Sequence, residues 1–225
     1  MTRTPTLLSW SGGKDSTLAL DALRADPGVE VVGLLTSVTR GYDRIAIHGV
    51  RRVLLEQQAA ALGLPLFEVT LEPASSNDAY EAAFHAGLAA ARAAVPALAA
   101  VAFGDLFLAD VRAYRERLLA GTGLVAAFPL WGRPTAALAR TFVARGWAAH
   151  LTCVDTTQLD GAFAGRRYDD ALLDALPATC DPCGEQGEFH TFVHDGPGFA
   201  HPVALTVGER VLRDQRFMYA DLLPA

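Results

Sequence analysis

The chain has 225 residues, 51% of them hydrophobic, which is enough for one sizeable α/β domain with a smaller appendage. Its 19 Lys and Arg against 25 Asp and Glu give a formal net charge of -6, which excludes a global basic field for recruiting nucleic acid. No run of about 18 uncharged apolar residues occurs and the amino terminus carries no signal-peptide pattern, so the expectation is a cytoplasmic protein with no membrane span.

In chain order, Thr6 to Trp10 is a strand-like apolar run, Ser11-Gly12-Gly13-Lys14-Asp15-Ser16 a loop, and Thr17 to Leu23 a helix. Paired glycines let the backbone come within hydrogen-bonding distance of an anion. The first-turn N–H groups of the following helix lack intrahelical partners, and the helix dipole adds positive potential at that end. Lys14 adds a full charge, Ser11 and Ser16 add hydroxyl donors, and Asp15 can hold magnesium or orient the loop. The spacing is neither G-x-x-x-x-G-K-[ST] nor G-x-G-x-x-G. With a strand before it and a helix after it, the stretch reads as a phosphate cradle rather than a plain helix cap. As an exposed loop lysine, Lys14 is expected to matter for nucleotide chemistry and little for folding.

Val29 to Thr36 is a β-branched buried strand, so strand, helix and strand form a parallel crossover unit. A polar loop through Gly41 and Asp43 follows. Ile47, Val50, Leu54 and Ala61 recur at helical spacing, and Gly63 ends that helix. Leu64 to Leu71 is a third strand, Ser76-Asn77-Asp78 opens a helix, and Val95 to Phe103 is a fourth strand stopping at Gly104-Asp105. Asp110 to Leu119 is a helix with Arg112, Arg115 and Arg117 on its charged side. Phe128 to Pro134 is a proline-stiffened loop, and Pro134 suits the first turn of a helix through Arg145. Trp147 to Val154 is read as the fifth strand, ending at Asp155.

Five strands separated by helices define an open, doubly wound, mostly parallel sheet of Rossmann-like type. Ligands in such sheets lie outside the carboxyl ends of the strands. That rule gathers the Ser11 loop, Thr36, Glu72, Gly104-Asp105 and Asp155, with Asp105 the best candidate for magnesium or nucleotide contact. The pattern changes near Thr156, so residues 1–155 are read as the nucleotide-binding domain and 156–225 as a small α+β substrate-side subdomain. There, Tyr168 to Leu176 is a short helix, Phe189 to Val193 a strand, and Val203 to Leu223 a hairpin turning around Gly208-Glu209.

The second dense stretch runs from Asp181 to Phe192. Glu185 and Glu188 could bind a metal or an amine, and His190 could move a proton near neutral pH. A glycine-rich loop with solvated acids is the equal alternative. Cys180-x2-Cys183 with His190 offers zinc-ligand types, but without a second cysteine pair the better reading is a turn.

Ser11 to Ser16 resembles the pyrophosphate loop of the ATP pyrophosphatases of the adenine nucleotide alpha hydrolase superfamily. Gly104-Asp105, Tyr114-Arg115, Phe128-Pro129-Leu130-Trp131, Val154-Asp155 and Cys183-Gly184-Glu185-x-Gly187-Glu188-Phe189-His190-Thr191-Phe192 narrow the likeness to bacterial-type members of the diphthine-ammonia ligase family. The resemblance implies a ligase that adenylates a carboxylate with ATP and Mg²⁺, releases pyrophosphate, and lets ammonia attack to give an amide. Together with the strand-end rule, which supplies Thr36, it implies that Ser11, Gly12, Gly13, Lys14, Asp15, Ser16, Thr36, Gly104 and Asp105 bind the nucleotide, with Asp15 and Asp105 on the metal. It implies catalytic roles for Lys14, Asp105, Glu185, Glu188 and His190. The partners are then the nucleotide, ammonia and a carboxylate acceptor left open, with no membrane, no strong nucleic-acid signal, and a homodimer allowed. The competing readings are a nucleotide-binding regulatory module without turnover and an enzyme acting on an RNA base.

Overall fold

The computed structural model describes residues 2–41, 44–45, 49–73 and 75–225 and divides into two compact units. The first comprises Met1–Ser11, Asp15–Asp43 and Leu64–Gly132; the second comprises Gly12–Lys14, Arg44–Gly63 and Arg133–Ala225. Asp43 and Ile47, read from sequence as part of a loop and of a helical stripe, lie outside the described residues.

In the first unit, β1 (Thr4–Ser9), β2 (Val29–Thr39), β4 (Leu66–Leu71), β5 (Ala100–Ala102) and β6 (Val125–Ala127) pair in parallel in the order β4-β2-β1-β5-β6. In register, Leu8 lies beside Leu34 and Ala102, and Leu35 beside Phe67. The order reverses between β1 and β5, so their carboxyl ends form the switch point at which such sheets bind ligands. Helix α1 (Lys14–Ala25) follows β1, α3 (Asn77–Ala94) follows β4, and α4 (Ala109–Leu119) follows β5. Ser76 caps α3 by accepting the Ala79 N–H. The core joins Leu7, Leu35, Val69 and Val101 of the strands to Phe84, Leu88 and Leu118 of the helices.

The second unit holds the two-residue β3 (Arg44–Ile45), α2 (Arg52–Leu62), α5 (Thr135–Ala144), α6 (Asp170–Ala175) and a four-stranded antiparallel sheet. Its strands β7 (Ala148–Asp155), β8 (Phe189–Asp195), β9 (Leu205–Arg213) and β10 (Phe217–Pro224) run in the order β8-β7-β10-β9. Gly63 closes α2 in the left-handed conformation at φ 67, as its position in the sequence suggests. Phe142 packs 5.4 Å from both Trp147 and Tyr168, centroid to centroid, and anchors α5 in this core.

Three expectations need correction. The fifth parallel strand is β6, whereas Trp147 to Val154 contributes β7 to the antiparallel sheet. All but one residue of β7 is buried, so it carries the continuous apolar signature of a parallel-sheet interior, while β6 is three residues long with Val125 67% exposed. Asp155 therefore does not end a strand of the nucleotide sheet. It accepts from Arg216 Nη2 at 2.6 Å and Thr157 Oγ1 at 2.7 Å, and these bonds hold its pKa far below the ordinary carboxylate range. The terminal hairpin turns at Asp214-Gln215, both with positive φ, and Gly208 lies inside β9 near an irregularity of the β9–β10 register.

Candidate functional site

The two units share out the glycine-rich loop, with Ser11, Asp15 and Ser16 in the first and Gly12, Gly13 and Lys14 in the second. In the first unit, the Ser11 and Ser16 hydroxyls stand 3.3 Å apart at the carboxyl end of β1. Gly104 follows β5, the strand beside β1. A Cβ at Gly104 would fall 3.2 Å from the Asp15 carbonyl carbon and oxygen and from the Ser16 nitrogen. The β5 loop thus runs against the first turn of α1 at a distance only glycine permits comfortably.

Asp105 is the next residue. Burial raises its pKa first of all, Arg115 opposes that rise, and the charge of Asp15 adds to it. The Arg115 Nε lies 3.6 Å from Asp105 Oδ2, an ion pair without a hydrogen bond. Thr36 Oγ1 is buried and has no hydrogen-bond partner among the described residues. Asp15, Thr36 and Asp105 thus bring oxygen donors to the first unit, two of them carboxylates.

In the second unit, Gly12 takes φ 78, and a Cβ there would meet Gln58 Oε1 at 3.0 Å and Phe192 Cδ2 at 3.2 Å. Its carbonyl accepts from Val193 N at 2.9 Å and from Gln58 Nε2 at 3.0 Å. The Lys14 N–H donates to Thr191 Oγ1 at 3.0 Å. Lys14 is not an exposed loop lysine: only 2% of it is accessible, its ammonium donates to the Cys183 carbonyl, and Nζ lies 5.4 Å from the Phe189 ring centroid.

Glu188 is buried, and both its oxygens are engaged. Oε1 accepts from Asp181 N at 2.8 Å and Oε2 from Gln186 N at 2.9 Å, so this carboxylate ties the 181–188 loop to itself. Glu185 is half-buried in the same loop. The His190 imidazole keeps a rim of exposure but is packed deeply enough that burial, aided by the Lys14 charge, pushes its pKa down to about 4. It is therefore neutral at pH 7. Cys180 and Cys183 are buried free thiols; burial, then the charges of Glu188 and Asp181, pushes the Cys180 pKa up to about 12.

Residues 4–125 match the family model described as the diphthamide synthase N-terminal domain, and residues 134–220 match that of the diphthamide synthase C-terminal domain. The chain belongs to the diphthamide synthase family. Compared with curated proteins one by one, it matches none. As a diphthamide synthase family member it is a PP-loop ATP-utilising ligase in its general type. No helix among its described residues is long and apolar enough to cross a membrane.

Sequence reasoning missed Gln58, which is fully buried on α2 and bonds the Gly12 and Val193 carbonyls at 3.0 and 2.5 Å. Its signal was present: a glutamine in line with Leu54, Leu55 and Leu62 on the apolar stripe of a helix must satisfy its amide internally. Thr191, inside the Cys183 to Phe192 motif, is the acceptor for the Lys14 backbone N–H through its hydroxyl.

Proposed function

We propose that this family member is an amide ligase that uses ATP as a substrate and forms AMP and pyrophosphate. A carboxylate oxygen of the acceptor bonds to the α-phosphorus as the bond to the β-phosphate oxygen breaks. Ammonia then adds to the acyl carbon, the bond from that carbon to the AMP oxygen breaks, and nitrogen loses a proton. The backbone approach of Gly104 to the head of α1, at the switch point between β1 and β5, carries this reading.

Ser11 to Ser16 would hold the outgoing pyrophosphate, with Lys14 supplying positive charge and Thr36 and Gly104 the floor for the nucleotide. Mg²⁺ suits the donor set of Asp15 and Asp105, because this ion typically takes one or two carboxylates and fills its octahedron with phosphate oxygens and water. There it would neutralise charge on the leaving group. In the 156–225 segment, Glu188 keeps the acceptor-side loop in shape, and Glu185 or His190 takes the proton that nitrogen loses. A cytoplasmic setting, where ATP and small carboxylates are abundant, agrees with this chemistry.

The test is to incubate the protein with ATP, magnesium, ammonium and a pool of small and protein-borne carboxylates while following AMP and pyrophosphate. Equimolar release of both, dependent on acceptor and on ammonium, is the expected result. ATP binding with no pyrophosphate under any mixture would favour the regulatory reading instead.

A further inference from the structure

Helix α4 of the first unit carries arginines to which no role has been given above. Arg112 and Arg115 stand three residues apart on α4 and so share one face. The Arg112 guanidinium lies 4.9 Å from the Phe128 ring centroid and 4.8 Å from that of Trp131, and its Nε donates to Glu116 at 2.9 Å. It is a fixed wall. Arg115 lies 5.2 Å from the Phe103 ring, which stacks on Phe128 at 5.7 Å. Its Nη1 donates to the Tyr80 hydroxyl at 3.5 Å.

The Nε of Arg115 and Oδ2 of Asp105 are both buried, and neither has a hydrogen-bond partner among the described residues. An ion pair out of water is favourable when its remaining protons and lone pairs are also bonded. This one is held 3.6 Å apart, so a planar oxyanion can take the guanidinium edge that Asp105 faces without bonding. The aromatic wall alongside suits an organic acid better than a fully hydrated phosphate, and a single negative charge is repelled less by Asp105 than a double one.

We propose, building on the ligase reading, that Arg115 anchors the carboxylate of the acceptor, with the Arg112–Phe128–Trp131 stack as the apolar side of that subsite. Trp131 provides a reporter. The full chain is titrated with sodium propionate at constant ionic strength, with chloride as the balancing ion, by tryptophan fluorescence, and Trp131→Phe assigns the signal; ATP is titrated in parallel.

Wild-type protein should give a saturable propionate response that weakens by about tenfold or more in Arg115→Gln and by less in Arg115→Lys, which keeps the charge but loses the fork. Asp105→Asn should tighten propionate severalfold by removing a competing carboxylate. ATP affinity in the Arg115 variants should stay within about twofold of wild type. Cooperative urea unfolding of each variant establishes that it is folded. Propionate binding unchanged in both Arg115 variants overturns the proposal. So does a loss of ATP affinity in its place, which would assign the oxyanion to a nucleotide phosphate. A failed ligase reading shows differently, as absent AMP and pyrophosphate with the propionate titration intact.

Discussion

The side-chain ammonium of Lys14 donates to the backbone carbonyl of Cys183, 169 positions along the chain. One residue of the glycine-rich loop thus helps to hold the 181–188 loop, and its substitution has two consequences. Lys14→Ala removes the ammonium's hydrogen bond to the Cys183 carbonyl and a cation from beside Phe189, and loss of a buried charged hydrogen bond costs about 1.5–3 kcal/mol. The urea midpoint should fall accordingly. Pyrophosphate release, measured on protein that is still folded, should fall by about tenfold or more. Unchanged ATP chemistry in that folded fraction would remove Lys14 from the mechanism.

Much of the fold is legible in the sequence because its signals are local. The alternation of β-branched runs with helical stripes gives the parallel sheet, Ser76 and Gly63 mark helix ends, and the paired glycines mark the loop. What failed was long-range. β6 is too short to announce itself, and β7 is buried on both faces, so the pattern named the wrong fifth strand. Asp214-Gln215 turns the last hairpin without the glycine that usually betrays such a turn. The burial of Lys14 depends on partners at Cys183 and Phe189, which no local pattern around residue 14 could disclose.

Glu188 offers a second test. Its two oxygens accept the Asp181 and Gln186 amides, so Glu188→Gln replaces one acceptor with an NH₂ group facing an N–H. The cost is about 1–3 kcal/mol, concentrated in the loop. Amide exchange at Asp181 and Gln186 should quicken while the β1–β5 core keeps its protection. Exchange at those amides as slow as in wild type would show that Glu188 does not order the loop.

Gly104→Ala probes the head of α1. The added methyl would sit 3.2 Å from backbone atoms of Asp15 and Ser16, which cannot swing aside as a side-chain tip would. Overpacking of this kind costs about 1–3 kcal/mol. Because the strain falls on the first turn of α1, the KM for ATP should rise by more than the KM for ammonium. An equal rise in both would separate Gly104 from nucleotide contact.

Acid sensitivity follows from the histidines. His190 and His194 have pKa values pushed down to about 4, His190 by burial and the Lys14 charge, His194 by burial and the neighbouring His150. His150, stacked 5.0 Å from His194, is lowered as well by burial and Arg167. Below a pH of about 6.5 the unfolded chain takes up protons that the folded chain refuses. Stability present above that pH should therefore be lost progressively as pH falls toward 4. Asp221, drawn down to about 2 by the hydrogen bonds and charges of Arg51 and Arg44 against the cost of burial, works in a lower window: its contribution is complete above a pH of about 4 and is lost as pH falls toward 2. Urea midpoints measured from pH 7.5 to pH 4 should decline, and His194→Phe should flatten that decline by removing one titrating ring and relieving its partner. A His194→Phe curve parallel to wild type would show that the His150–His194 pair does not carry the acid sensitivity.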